Sequence, residues 1–150
     1  MGERGVMPNG DLGKQTRAHT QSDSHLMLRV FVVDAERNLH RGLQMRLNRE
    51  PDITLVAEAD TLKGALETLS LMKPDIVLVD PVGLGADPEL VIADLRHGYP
   101  GGKVVVLSLR DDEDNRERVL AAGAAAFVSK HDGSERLLEV IRLVGSDTTA

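Results

Sequence analysis

Four short apolar runs along the chain each end on a polar residue. Val30-Phe31-Val32-Val33 runs into Asp34, and Ile76-Val77-Leu78-Val79 runs into Asp80. Val104-Val105-Val106-Leu107 runs into Ser108, and Ala126-Phe127-Val128-Ser129 runs into Lys130. Short, β-branched, apolar runs are the mark of strands covered on both faces. With Ile53–Ala57 they predict five strands, at about Arg29–Val33, Ile53–Ala57, Ile76–Val79, Lys103–Leu107 and Ala125–Ser129. Between them the apolar positions recur at helical spacing: Leu39, Leu43 and Leu47; Leu62, Leu66 and Leu69; Val91 and Leu95; and Leu137, Leu138, Ile141 and Val144. Residues 116–122 predict a weaker helix with a charged start, after the acidic run Asp111-Asp112-Glu113-Asp114. Asp60 or Thr61, and Ser134, are candidate N-caps, and Pro88 suits a first helical position.

Strands alternating with helices imply right-handed crossovers and a parallel sheet in an α/β domain. In the order 2-1-3-4-5, strands one and three meet at the switch point, and ligands bind at the carboxyl ends of the strands. Asp34 and Asp80 end those two strands. Two carboxylates, a hydroxyl and an ammonium would then converge on one sheet edge, a set suited to a divalent cation and a phosphoryl group.

The whole-chain properties narrow this picture. A length of 150 residues suggests one domain. With 2% aromatic residues the core must be aliphatic. A net charge of -6 argues against a nucleic-acid surface, which needs clustered Lys and Arg. The chain has no Cys, which excludes disulfides and thiolate chemistry. No apolar run approaches the roughly 18 residues of a membrane span, and the start lacks the apolar stretch of a secretory signal. The expected compartment is the cytoplasm, with no membrane contact. Residues 1–27 are polar and Gly-rich and predict a disordered tail; residues 28–146 form the domain, and 147–150 a short C-terminal tail with no output domain. His19, His25, His40, His97 and His131 show no metal-ligand spacing.

These residues carry a resemblance. Leu28 to Val144 resembles a bacterial response-regulator receiver domain of two-component signalling, most similar to the branch that usually carries a helix-turn-helix output domain. The stretches that carry it are Val32-Val33-Asp34, Glu50-Pro51-Asp52-Ile53, Val56-Ala57-Glu58-Ala59 and Lys73-Pro74-Asp75-Ile76-Val77-Leu78-Val79-Asp80. Val105-Val106-Leu107-Ser108, Ala122-Gly123-Ala124 and Phe127-Val128-Ser129-Lys130 extend it in one colinear block.

The resemblance implies a flavodoxin-like, doubly wound five-stranded parallel sheet with helices on both faces. It implies that Asp80 accepts a phosphoryl group, while Asp34, Asp80 and the backbone carbonyl of Val82 hold Mg²⁺. Lys130 would pair with Asp80 and then with the phosphoryl oxygens. Ser108 would donate to the phosphoryl group, and Phe127 stands where the family keeps an aromatic that repacks as the hydroxyl residue moves. The implied partner is a sensor histidine kinase or other phosphodonor. The face of the fourth helix, fifth strand and fifth helix would support a homodimer, without direct nucleic-acid binding. Such a module is not an enzyme beyond self-phosphorylation and autodephosphorylation.

Two departures are visible. The family has a second acid after the first strand, where this chain has Ala35; Glu36 stands one residue on. The loop after Asp80 reads Pro81-Val82-Gly83-Leu84-Gly85-Ala86-Asp87-Pro88, and Pro81 restricts the backbone of Asp80. They make Mg²⁺ binding weak and leave an alternative, a degenerate receiver that binds partners without phosphorylation. A nucleotide- or corrinoid-binding α/β domain is disfavoured, because no Gly-rich loop follows the first strand.

Overall fold

The computed structural model describes residues 27–146. The tails expected at residues 1–27 and 147–150 lie outside the described residues, apart from Met27. In chain order the elements are β1 (Leu28–Val33), α1 (Arg37–Leu47), β2 (Ile53–Ala59), α2 (Leu62–Met72), β3 (Ile76–Val79), a 3-10 turn (Pro81–Leu84), α3 (Pro88–Gly98), β4 (Lys103–Ser108), α4 (Glu113–Ala121), β5 (Ala126–Ser129) and α5 (Ser134–Ser146). The strands are parallel in the order β2-β1-β3-β4-β5, as the sequence predicts. Thr61 is the N-cap of α2, its hydroxyl accepting from the Gly64 amide at 3.0 Å. Asp112, inside the acidic run, caps α4 by accepting from Asn115.

Strand alternation splits the core in two. Val30, Val32, Ile76, Leu78, Val105, Leu107 and Val128 face α1 and α5, where they meet Leu43, Leu47, Leu137 and Ile141. Phe31, Val33, Val77, Val79, Val104, Val106 and Phe127 face α2, α3 and α4, where they meet Leu69, Ile92, Leu95 and Val119. Both faces are covered, so the strands read as unbroken apolar runs rather than alternating ones.

The alternation is broken once, in β2. Val30 pairs with Leu55, but Phe31 pairs with Ala57, so β2 carries one extra residue. A bulge of this kind reverses which face the later residues occupy. Ile53 and Leu55 pack on the α1–α5 side, whereas Ala57 and Ala59 pack on the other. Glu58 is thereby turned toward α1. The strand also runs on to Ala59, two residues past the sequence expectation.

An ionic clamp closes the end of the domain away from the strand tips. Arg142 of α5 donates to both carboxylate oxygens of Asp52 at 2.8 Å and to Glu50 at 2.5 Å. Arg46 of α1 adds a bond to Glu50 at 2.6 Å. Arg142, then Arg46, holds the Glu50 carboxyl below the ordinary range, and Arg142 does the same for Asp52. Carboxyls depressed in the folded state stabilise it above their unfolded pKa, and the contribution is lost as pH falls through the folded pKa. The denaturant midpoint is therefore expected to fall between about pH 6 and about pH 3, and Arg142→Leu to flatten that fall. An unchanged pH profile in Arg142→Leu, followed by circular dichroism, would contradict the clamp.

Candidate functional site

Register alone brings the strand ends together. Val33 is level with Val79 and Ser108 with Ser129, so Asp34 and Asp80 leave the sheet side by side. The ladder continues past the strands: the Asp80 amide donates to Val33 at 3.1 Å and the Lys130 amide to Ser108 at 2.9 Å. Asp34, Asp80 and Lys130 all continue the set of positions that faces α1 and α5. Lys130 Nζ donates to Asp34 Oδ2 at 3.0 Å and to Asp80 Oδ2 at 2.7 Å. Three of the predicted residues thus form one ionic triad, its two carboxylates buried and Lys130 partly buried.

Ser108 belongs to the opposite set of positions and stands apart from the triad. It is buried, and its Oγ accepts the Arg110 amide at 3.1 Å. Its hydroxyl proton has no acceptor among the described residues. Val82 sits in the 3-10 turn directly after Asp80, and its amide donates to Asp80 Oδ1 at 3.2 Å. Phe127 is already buried, with the Arg116 guanidinium 4.6 Å above its ring.

Burial pulls the Lys130 ammonium toward its neutral form, but the Asp80 and Asp34 carboxylates outweigh that, and its pKa is raised. The lysine stays charged, and two carboxylates with one ammonium leave one net negative charge. Among the described residues no group of three His, Cys, Asp or Glu side chains could hold a metal ion. Ala35 lies against the loop after Asp80: a methyl group added at Gly83 would stand 3.3 Å from its Cβ. Glu36 is exposed. Mg²⁺ is commonly held by one or two carboxylates, waters and substrate phosphate oxygens. Asp34 and Asp80 fit that donor set as a partial shell.

The periodicity did not reveal some of the polar contacts. His40 of α1 is buried; its Nε2 lies 2.7 Å from the Asp34 carbonyl oxygen and its Nδ1 3.2 Å from Glu58 Oε1. Its place on the apolar face of α1, one residue after Leu39, is the signal that sequence reading could have used. Ser129 donates its hydroxyl to Asp111 Oδ2 at 2.7 Å, tying the end of β5 to the loop before α4. That donation, first among several causes, lowers the Asp111 pKa. Nothing in the local sequence pairs residues 111 and 129.

A family model described as the response regulator receiver domain matches residues 30–142. The response regulator GacA of Pseudomonas viridiflava is 30% identical over 118 residues, which cover 79% of this chain and 55% of that protein. The transcriptional regulatory protein DegU of Brevibacillus brevis is 28% identical over 117 residues, 78% of this chain and 50% of its own length. The chain spans about half the length of the curated relatives it matches. The crystal structure of a response regulator from Thermotoga maritima matches with a TM-score of 0.72 at 28% identity, covering 81% of this chain and 100% of that one.

The triad makes a specific energetic prediction. Lys130→Met leaves two carboxylates facing one another without a counter-charge and should cost about 2–4 kcal/mol of unfolding free energy. The Lys130→Met/Asp80→Asn double variant should recover part of that loss, because residues sharing one network are not additive. Chemical denaturation of the wild type, both single variants and the double variant measures the coupling. Strictly additive losses would mean that Lys130 is not coupled to Asp80.

Proposed function

The chain belongs to the response regulator receiver domain family of two-component signalling, in the branch whose members carry helix-turn-helix output domains, and from that membership we propose that Asp80 is its phosphoacceptor. The observation that carries the reading is the Lys130 ammonium bonded to both Asp34 and Asp80. A carboxylate oxygen of Asp80 attacks the phosphorus of a phosphohistidine on a partner kinase or of a small acyl phosphate. The P–N or P–O bond breaks and the leaving group keeps its electron pair: a leaving imidazole takes up a proton, a leaving carboxylate departs as the anion, and Asp80 becomes an acyl phosphate.

Phosphoryl transfer depends on positioning and charge neutralisation more than on covalent help. Lys130 supplies a fixed positive charge and follows the phosphoryl oxygens once Asp80 is modified. Ser108 supplies a hydroxyl proton that has no acceptor among the described residues. Asp34, Asp80 and the carbonyl of Val82 would hold Mg²⁺, which when bound neutralises charge on the transferring phosphoryl group.

The phosphoryl group adds roughly -1.5 to -2 charges at the sheet edge. Ser108 and Lys130 are drawn to it, and the β4–α4 loop moves with them. Arg116 over Phe127 and Asp111 on Ser129 carry that motion to α4, β5 and α5. β5 is an edge strand, and Leu143 of α5 is exposed beside it, so that face suits self-association or a protein partner. The module acts in the cytoplasm and by protein contacts rather than by binding nucleic acid itself. Its only catalysis is its own phosphorylation and the hydrolysis of its acyl phosphate.

Incubation with acetyl phosphate and Mg²⁺ should give a label, cleaved by base and hydroxylamine, that Asp80→Asn abolishes and Asp75→Asn retains. Asp75 is the fair control, because it accepts the Arg29 amide at the opposite end of the strands. Label surviving in Asp80→Asn, or no label in the wild type, would contradict the assignment. With two carboxylates, calorimetry should give an Mg²⁺ dissociation constant on the order of millimolar or weaker. Ala35→Asp adds a carboxylate beside the Asp80 loop and should tighten it; unchanged binding would mean that the cation sits elsewhere.

A further inference from the structure

Every polar group of Asp34 is engaged. Its amide donates to the Ala59 carbonyl at 3.0 Å. Its Oδ1 accepts the Glu36 amide at 2.8 Å, and its Oδ2 accepts Lys130 Nζ at 3.0 Å. Its carbonyl is held by His40, whose ring lies on α1 and is almost fully buried. A carbonyl oxygen can only accept, so Nε2 is the donor at 2.7 Å, the shortest of the four contacts. The other ring nitrogen faces Glu58 Oε1 at 3.2 Å; a carboxylate only accepts, so with Nε2 donating to Asp34 this contact is a hydrogen bond when the ring carries both protons. Glu58 reaches α1 only because the extra residue in β2 turns it to that side of the sheet.

We propose that His40 is a positioning residue for the acidic pocket and that Glu58 orients it. The proposal rests on the reading of Asp34 as a cation-binding carboxylate. With Ala35 beside it, Asp34 supplies the β1 end of the pocket alone, so its orientation decides how well the pocket takes a cation. The peptide after Asp34 turns away from the sheet toward α1, and its carbonyl lies past the last ladder bond. A side-chain donor from α1 therefore fixes the one backbone group of Asp34 that the sheet does not. Outer partners of this kind set the geometry of a ligating carboxylate without touching the metal.

The test compares His40→Leu, which keeps the bulk and removes the donor, with His40→Gln, whose side-chain amide can again donate to the Asp34 carbonyl. Two quantities are read on the full chain: Mg²⁺ affinity by calorimetry and, without metal, the hydrogen-exchange rate of the Glu36 amide. His40→Leu should weaken Mg²⁺ binding about tenfold. It should also speed Glu36 exchange several-fold, since that amide is held by the Asp34 carboxylate. His40→Gln should restore both to near the wild-type values. Glu58 is exposed enough for Glu58→Ala to fold, and it should shift both quantities in the same direction by a smaller factor.

Wild-type values in His40→Leu, or a His40→Gln as impaired as His40→Leu, would overturn the proposal. If His40→Leu does not fold, wild-type values in Glu58→Ala overturn it and shifted values sustain it. If the wild type takes up no Mg²⁺, the cation reading of Asp34 falls, and with it the claim that His40 serves cation binding. The Glu36 amide then decides separately whether His40 positions Asp34.

Discussion

The ammonium of Lys130 between two carboxylates is the interaction that offsets the charge that strand register imposes on the sheet edge. Asp34 and Asp80 leave adjacent parallel strands in register, so the sheet forces two negative charges together whether or not that is favourable. Burying like charges side by side is costly, and burying any one of them unpaired is costly too. Lys130, brought across from β5 by the same register, offsets both costs while leaving a net negative charge. On the proposed reading, that residue of charge would favour a cation, and through it a phosphoryl group. The fold and the site are therefore one constraint: the strand order that buries the aliphatic core also sets the charge of the pocket.

Most of the architecture is legible in the sequence because it follows from periodicity. Strands buried on both faces produce runs such as residues 76–79, and the helices between them keep their apolar spacing. The residue that ends each run follows from the same counting, which is why the sequence alone is enough to place Asp34, Asp80 and Lys130 in one pocket. The counting fails where alternation breaks. The extra residue in β2 moves Glu58 to the face of α1, and no composition signal marks it. His40, one of five histidines without ligand spacing in the sequence, contacts the Asp34 carbonyl and Glu58 only in the folded structure. Ser108 shows the converse case. It ends its strand as expected, but it falls on the opposite set of positions and makes a local turn instead of joining the triad. The pairing of Ser129 with Asp111 joins two loops far apart in sequence, and only tertiary structure reveals it.

On the proposed reading, the same contacts would carry a change at Asp80 to the surface. The end of β5 carries Lys130 on one side and Ser129 on the other, so the residue that meets the pocket is covalently joined to the one that holds the β4–α4 loop. Beyond that loop, Arg116 lies over Phe127 and Arg118 bonds Glu89 at the start of α3. The guanidinium groups in these contacts are partly exposed, although Phe127 itself is buried in the apolar core. Contacts of that kind can exchange partners at modest cost, whereas the two aliphatic cores are fixed by their volume. An added charge at the strand tips would, on that reading, act along β5 and α4.

If the Asp34–Asp80–Lys130 pocket is where a phosphoryl group acts, β5 and α4 should receive the effect. Titration with beryllofluoride and Mg²⁺, a phosphoryl mimic that coordinates a carboxylate, followed by amide NMR shifts, tests this most directly. The shifts should centre on Asp80, Ser108 and Lys130, extend through Phe127 to α4 and the exposed face of α5, and all be lost in Asp80→Asn. Shifts that survive in Asp80→Asn, or that centre on the opposite edge of the sheet around β2, would contradict it.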